Sequence, residues 1–345
     1  MSLSPHVGAP PARPRTRRIW IWPVRVALVL LAALLVVAVL GPAYQVVATA
    51  RDDLAYPPPG KMFAANGHSM HIQCAGDVRP GIPTVILEAG TGLASPSWTL
   101  VAAKIAPTTQ VCAYDRAGNG WSDPGPLPRD AATIAGDLHA LLAAAAIAPP
   151  YVLAGHSFGG IYSRVYADAY PGDVAGLVLV DSTHPDQLTR SPSRNAAITT
   201  LKSVLKIAPF LAHFGIVRAT GLGASEGLDM PAQQQGEMTA FGAQGSQATA
   251  MLAELSEFPA NAERLHNAKS LGALPLFVLS AGKGADADWP ALQDELAALS
   301  TNSVHRTIAT ADHTDLLFTT AGADATASAI LAVVEAARTG TPLSP

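Results

Sequence analysis

The chain predicts an α/β fold, and three observations carry that expectation. Tyr151-Val152-Leu153-Ala154 is an uninterrupted apolar run, followed at once by a Gly-rich turn and a helix-compatible segment that stops at Pro171-Gly172. Similar apolar runs recur at residues 83–88, 111–114, 176–181 and 275–280, each separated from the next by helical stretches or loops. Of the 345 residues, 49% are hydrophobic and only 14% charged, enough to bury one large domain.

The first 50 residues are of a different kind. They hold Arg13, Arg15, Arg17, Arg18 and Arg25 and no acid, which leaves 17 of the 22 basic residues against all 26 acidic ones in the remainder. Residues 26–40 are apolar without interruption, and residues 19–40 are broken only by Pro23 and Arg25. At about 1.5 Å per residue such a helix spans roughly 33 Å, the thickness of a bilayer core. The expectation is a basic cytoplasmic tail (1–18), a transmembrane anchor (19–47), a stiff Pro-rich linker (48–60) and an extracytoplasmic domain, because the positive flank stays inside. Ala48-Thr49-Ala50 fits a cleavage pattern, so a secreted domain is the alternative. No basic tract in the body offers a nucleic acid surface.

Lys61 opens the body. Residues 61–65 and 69–74 read as strands joined by Asn66-Gly67-His68, a hairpin-type turn. Residues 98–106 read as a helix, and residues 131–148 as an alanine-rich helix with Asp130 as its cap and Pro149-Pro150 as its stop. The central turn, Gly155-His156-Ser157-Phe158-Gly159, is a G-x-S-x-G pattern between strand and helix. A serine on so sharp a turn needs neighbours without a Cβ, and it stands at a helix N-terminus that favours developing negative charge.

Taken with the segment Tyr114-Asp115-Arg116-Ala117-Gly118-Asn119-Gly120-Trp121-Ser122, the core strand 176–181 and the late turn Asp312-His313-Thr314, the chain resembles the α/β-hydrolase fold over roughly residues 60–340. The resemblance implies a mostly parallel eight-stranded sheet flanked by helices, with a core of residues 61–181 and 275–340. Residues 182–274 would be a helical lid forming the acyl-binding wall. Ser157 would be the nucleophile and His313 the base, in the chain order serine, acid, histidine. Asp286 is the first choice for the acid, its spacing to Pro290 matching the usual family position. Asp181, at the end of the preceding strand, and then Asp288 are the alternatives. The oxyanion donors would be the N–H of Phe158 and of Thr91, with Gly92 the alternative to Thr91. Asp115, Arg116 and Trp121 read as loop-pinning residues. In the implied sheet order, the strands of Cys74 and Cys112 are neighbours, so a disulfide and a pair of buried thiols are both open.

A serine at the elbow argues for acyl transfer to water, since dehalogenases and epoxide hydrolases of this fold carry aspartate there. The sequence has no metal-ligand spacing and no dinucleotide fingerprint, so no cofactor is expected. The partners expected are a small-molecule or lipid-like ester and the membrane. An acyltransferase, or an inactive membrane-anchored binding protein on the same scaffold, are the alternatives.

Overall fold

The computed structural model describes Gly8 and residues 21–222 and 229–344. The tail expected over residues 1–18 lies, Gly8 apart, outside the described residues. Eight strands form one sheet in the order β1-β2-β4-β3-β5-β6-β7-β8. β1 (Lys61–Ala65) and β2 (His68–Ala75) make a hairpin closed by Asn66 and Gly67, both at positive φ (49° and 88°), as a two-residue turn of this hand requires. β2 pairs antiparallel with β4 (Val111–Tyr114). Every later pairing is parallel, through β3 (Thr84–Glu88), β5 (Tyr151–His156), β6 (Val174–Val180), β7 (Leu276–Ala281) and β8 (Ser303–Ile308).

The central strands are buried on both faces, which explains their continuous apolar runs. Ile86, Leu153 and Leu177 point to a core closed by helices α3 (Ala131–Ala144) and α4 (Gly159–Ala169). Their neighbours Val85, Val152 and Val178 point the other way, towards α2 (Thr99–Ile105) and the long C-terminal helix (Thr320–Thr339). Asp130 caps α3 by accepting from the Thr133 N–H at 2.7 Å, worth about 1 kcal/mol.

Among the described residues, seven short helices lie in the interval between β6 and β7: α5 (Gln187–Arg190), α6 (Pro192–Leu205), α7 (Ala208–His213), α8 (Ile216–Thr220), α9 (Ala232–Gly242), α10 (Gly245–Ser256) and α11 (Phe258–His266). They stand over the ends of β3 and β4, where Gln247 of α10 donates to the Gly92 carbonyl at 3.0 Å and accepts from the Gly120 N–H at 3.1 Å. After β7 stand α12 (Trp289–Ala297), α13 (Asp315–Phe318) and the C-terminal helix already described, α14.

The N-terminal helix α1 (Ile21–Ala55) is long and apolar enough to cross a membrane. It differs from the expected linker at residues 48–60: the helix continues to Ala55. Tertiary contacts hold the last turns of α1. The Gln45 amide donates to the Ala243 carbonyl at 3.1 Å, and Asp52 pairs with Arg218 at 2.7 Å. Tyr56 follows, its carbonyl accepting from the Trp121 indole at 2.9 Å. The segment is docked on the helices between β6 and β7 and is not a free spacer.

Cys74 and Cys112 stand directly opposite each other in the β2–β4 register and are bonded. Thiol counting on denatured, unreduced protein should therefore find no free thiol, and two after reduction. Replacing both cysteines by alanine should lower unfolding stability by roughly 3–4 kcal/mol, because the bridge closes a long loop in the unfolded chain. Two free thiols in the unreduced protein would contradict the pairing.

Candidate active site

The parallel strands deliver their carboxyl ends to one edge of the sheet, and the residues of interest gather there. Ser157 follows β5 at φ 56°, a left-handed conformation uncommon for a residue with a side chain. The surroundings hold it there. Its N–H donates to the Val180 carbonyl at 3.0 Å, and its carbonyl accepts from the Thr183 N–H at 3.1 Å. A Cβ on Gly159 would run into the Glu88 carbonyl, so only glycine lets α4 come this close to β3. Phe158 begins the helix, with its ring edge-on to Phe258 at 5.6 Å.

Asp181 follows β6 and is also at positive φ (41°). Its carboxylate is 2% exposed and fully engaged. Oδ1 accepts from the Ala281 N–H and the Trp289 indole N–H, both at 2.9 Å, and Oδ2 lies 2.5 Å from His313 Nδ1. Burial alone would raise its pKa, but the hydrogen bonds from His313, Ala281 and Trp289 hold it below the usual carboxylate range. An ionised Asp181 fixes the proton on His313 Nδ1, which leaves Nε2 free to accept.

The geometry corrects the first choice for the histidine's partner. Asp286 lies on the loop after β7, where it accepts from the Ser191 hydroxyl and pairs with Arg194 Nε at 3.2 Å. Both partners belong to the entry of α6, so the Asp286 carboxylate is drawn away from His313. Asp288 is exposed at the start of α12. The strand next to the elbow, β6, carries the carboxylate that meets His313.

His156 plays a part that the sequence did not reveal. Its ring lies 4.5 Å from that of His313, and its Nε2 stands 3.0 Å from the His313 carbonyl oxygen. Burial, helped by the neighbouring His313, pushes its pKa down to about 3, so the ring is neutral and its Nε2–H donates to that carbonyl. The residue before the serine thus holds the backbone of the histidine loop.

Across from the elbow runs the loop Ala89-Gly90-Thr91-Gly92. A Cβ on Gly90 would stand 3.2 Å from the Ser157 Cβ, so the loop closes directly on the serine. Gly92 is at φ 77° beneath Met251. Arg116, 2% exposed, supports this loop from below. Its Nη1 donates to Glu88 Oε1 at 2.7 Å and to the Ala89 carbonyl at 2.5 Å, and its Nη2 to the Gly90 carbonyl at 3.0 Å. Glu254 of α10 takes the rest of the guanidinium, 2.9 Å from both Nε and Nη2, and also accepts from Asn119 at 2.9 Å. The Tyr114 hydroxyl donates to Glu88. Burial pushes Glu88 up to about 7, against the pull of Arg116.

Among the described residues, His184, Asp186 and Glu295 form a group whose potential ligand atoms lie within 4.8 Å of one another. Asp186 lies 2.8 Å from His266 Nε2 and Glu295 is paired with Arg190 at 2.7 Å, so both carboxylates already have side-chain partners.

Residues 83–318 match the model of a family described as the alpha/beta hydrolase fold. A probable transporter, efuK, of Hormonema carpetanum is 35% identical over 132 residues, which is 37% of this chain and 19% of that protein. The chain thus spans about a fifth of the length of that relative. A thermophilic esterase from Thermogutta terrifontis superposes with a TM-score of 0.60 at 19% identity, over 81% of this chain and 99% of that one. An epoxide hydrolase mutant from Vigna radiata gives 0.63 at 14% identity, over 80% and 98%. At such identities these structures show the fold alone.

The raised Glu88 pKa carries a pH signature. A carboxyl that binds its proton more tightly when folded costs stability as pH rises from its ordinary value of 4.5 to about 7. Chemical unfolding should show stability falling across that window by up to about 3 kcal/mol from this group. Glu88→Gln should flatten that fall. Glu254→Gln removes a neighbouring negative charge and should move its upper end to lower pH. A wild-type profile that rises between these pH values and is unchanged in Glu88→Gln would refute the assignment.

Proposed function

Because the chain belongs to the alpha/beta hydrolase fold family, we propose that it is a serine hydrolase that cleaves carboxylic esters through an acyl-enzyme intermediate. The observation that carries this is the 2.5 Å contact of Asp181 with His313 Nδ1, beside a serine held at positive φ. In this reading Ser157 is the nucleophile, His313 the base and Asp181 the acid that orients it.

His313 Nε2 takes the Ser157 proton as Oγ attacks the ester carbonyl carbon. The negative charge that develops on the carbonyl oxygen is met by the N–H groups of Phe158 and Thr91, with Gly92 as the alternative to Thr91. His313 returns the proton to the leaving alcohol as the C–O bond breaks, and Ser157 is left acylated. Water then adds to the acyl carbon while His313 takes its proton, and collapse releases the acid and restores the Ser157 hydroxyl. Asp181 stays ionised throughout and stabilises the imidazolium. Arg116, through the Ala89 and Gly90 carbonyls, fixes the loop that supplies the second N–H.

The neighbouring structures include both an esterase and an epoxide hydrolase, so the fold does not choose the reaction. Serine at the elbow and a carboxylate-bound histidine favour acyl chemistry. The apolar helix α1 supports membrane anchorage, with the hydrolase domain on the extracytoplasmic side because the early arginines precede the span.

Ser157→Ala should retain the fold by circular dichroism, lose labelling by a fluorophosphonate and lose on the order of 10⁴-fold or more in ester turnover. Near-normal turnover would sink the serine-hydrolase reading. Asp181→Asn should cost about 10⁴-fold in kcat through the wrong histidine tautomer, whereas Asp286→Asn should leave kcat within a few-fold. The reverse order would return the acid role to Asp286. Product analysis with added alcohols separates hydrolysis from acyl transfer.

A further inference from the structure

The helices between β6 and β7 carry an apolar face that none of the described residues covers. Val204, Ile207 and Phe210 follow one another at intervals of three through the end of α6 and the start of α7, and they are 51%, 56% and 65% exposed. Large apolar side chains grouped on a surface mark a contact with something apolar.

The position of this face relative to α1 indicates what that something is. Phe210 packs on Phe214 with ring centres 4.9 Å apart. Phe214 lies against Gly41 of α1, where a Cβ would stand 2.5 Å from its carbonyl oxygen. One residue on, Gly215 receives the ring of Tyr44. Gly41 directly follows the uninterrupted apolar run 26–40. The α7–α8 turn therefore grips α1 at the end of its apolar stretch. Contacts farther along α1 turn polar, first the Gln45 amide with Ala243, then the Asp52–Arg218 ion pair. Along the axis of α1, the exposed apolar face stands at the apolar end of this gradient.

Charge points the same way. Residues 187–222 contain Arg190, Arg194, Lys202, Lys206 and Arg218 and no acid, in a body where acidic residues outnumber basic ones. Arg190, Arg194 and Arg218 are held in ion pairs, and Lys206 is exposed beside Ile207. Exposed apolar residues next to lysines at the end of α6 match the boundary between anionic headgroups and acyl chains.

We propose that the α6–α7 face rests in the headgroup–acyl boundary of the bilayer that α1 crosses, so that the helices standing over the candidate active site are themselves membrane-contacting. This rests on the reading of α1 as a membrane span. It sets the mouth of the site close to the lipid surface and favours amphipathic esters that partition into the bilayer.

Site-directed fluorescence quenching on the full chain tests this. With both native cysteines bonded, a bimane probe is attached at one introduced cysteine: Phe210→Cys, Ile207→Cys, Leu35→Cys or Val78→Cys. Each protein is reconstituted in vesicles of phosphatidylcholine and phosphatidylglycerol that contain a lipid with a nitroxide high on its acyl chain. Leu35 lies within the span. Val78 is exposed beyond β2, whose last residue pairs with the first residue of β4, and so lies at the opposite end of the sheet from the site. Probes at 35, 207 and 210 should be quenched at least several-fold more than the probe at 78. Replacing Lys202 and Lys206 by Gln should reduce quenching at 207 and 210 more in vesicles with phosphatidylglycerol than in phosphatidylcholine alone. Strong quenching at 35 with 207 and 210 no different from 78 would overturn the docking and leave the anchor standing. Absence of quenching at 35 would overturn both.

Discussion

One buried cation holds the upper edge of this fold together. The Arg116 guanidinium reaches Glu88 at the end of β3, the carbonyls of Ala89 and Gly90 in the loop beyond, and Glu254 of α10. A charge buried this deeply persists only where its donors are met by partners, and here two carboxylates and two carbonyls meet it. The consequence is mechanical. The loop facing Ser157 and the helices above it share this anchor, so neither moves without disturbing the other. Burial in this dry place draws Glu88 towards its protonated form against the pull of Arg116, and the neighbouring Glu254 charge adds to the shift.

A second constraint acts through backbone strain. Ser157 and Asp181, at the ends of adjacent strands, both adopt positive φ. Each is fixed from outside its own loop. The Ser157 N–H and carbonyl are tied to Val180 and Thr183, and the Asp181 N–H is tied to the Leu279 carbonyl at 2.7 Å. Strain of this kind persists only where the neighbouring structure over-determines the conformation. Parallel strands in register supply that, because the end of each strand is hydrogen-bonded to the next.

Much of this was legible in the sequence for the same physical reasons. Doubly buried parallel strands must be continuously apolar, and the serine turn must be glycine-rich, so both announce themselves locally. The histidine loop was legible because it follows the last strand. The partner of His313 was not, because the choice between Asp181 and Asp286 depends on who else claims each carboxylate. Ser191 and Arg194 claim Asp286 from more than ninety residues away, while Trp289 and Ala281 orient Asp181 from about a hundred. No local pattern encodes that. The full length of α1 is equally hidden from a local reading. Pro57-Pro58-Pro59 marks an end, but α1 runs on to Ala55, where Asp52 meets Arg218, a contact invisible in the linear chain.

The contact between His156 and the His313 carbonyl has a consequence for how such a chain can vary. In the G-x-S-x-G turn the residue before the serine is nominally free, constrained only by the turn. Here its ring is a brace for a loop more than 150 positions later, through the Nε2–H that it donates to the His313 carbonyl. A replacement at 156 that cannot donate would leave the 313 carbonyl without its partner and let the histidine drift, with the serine itself untouched. The elbow position that looks permissive in the motif thus carries the support of a distant turn.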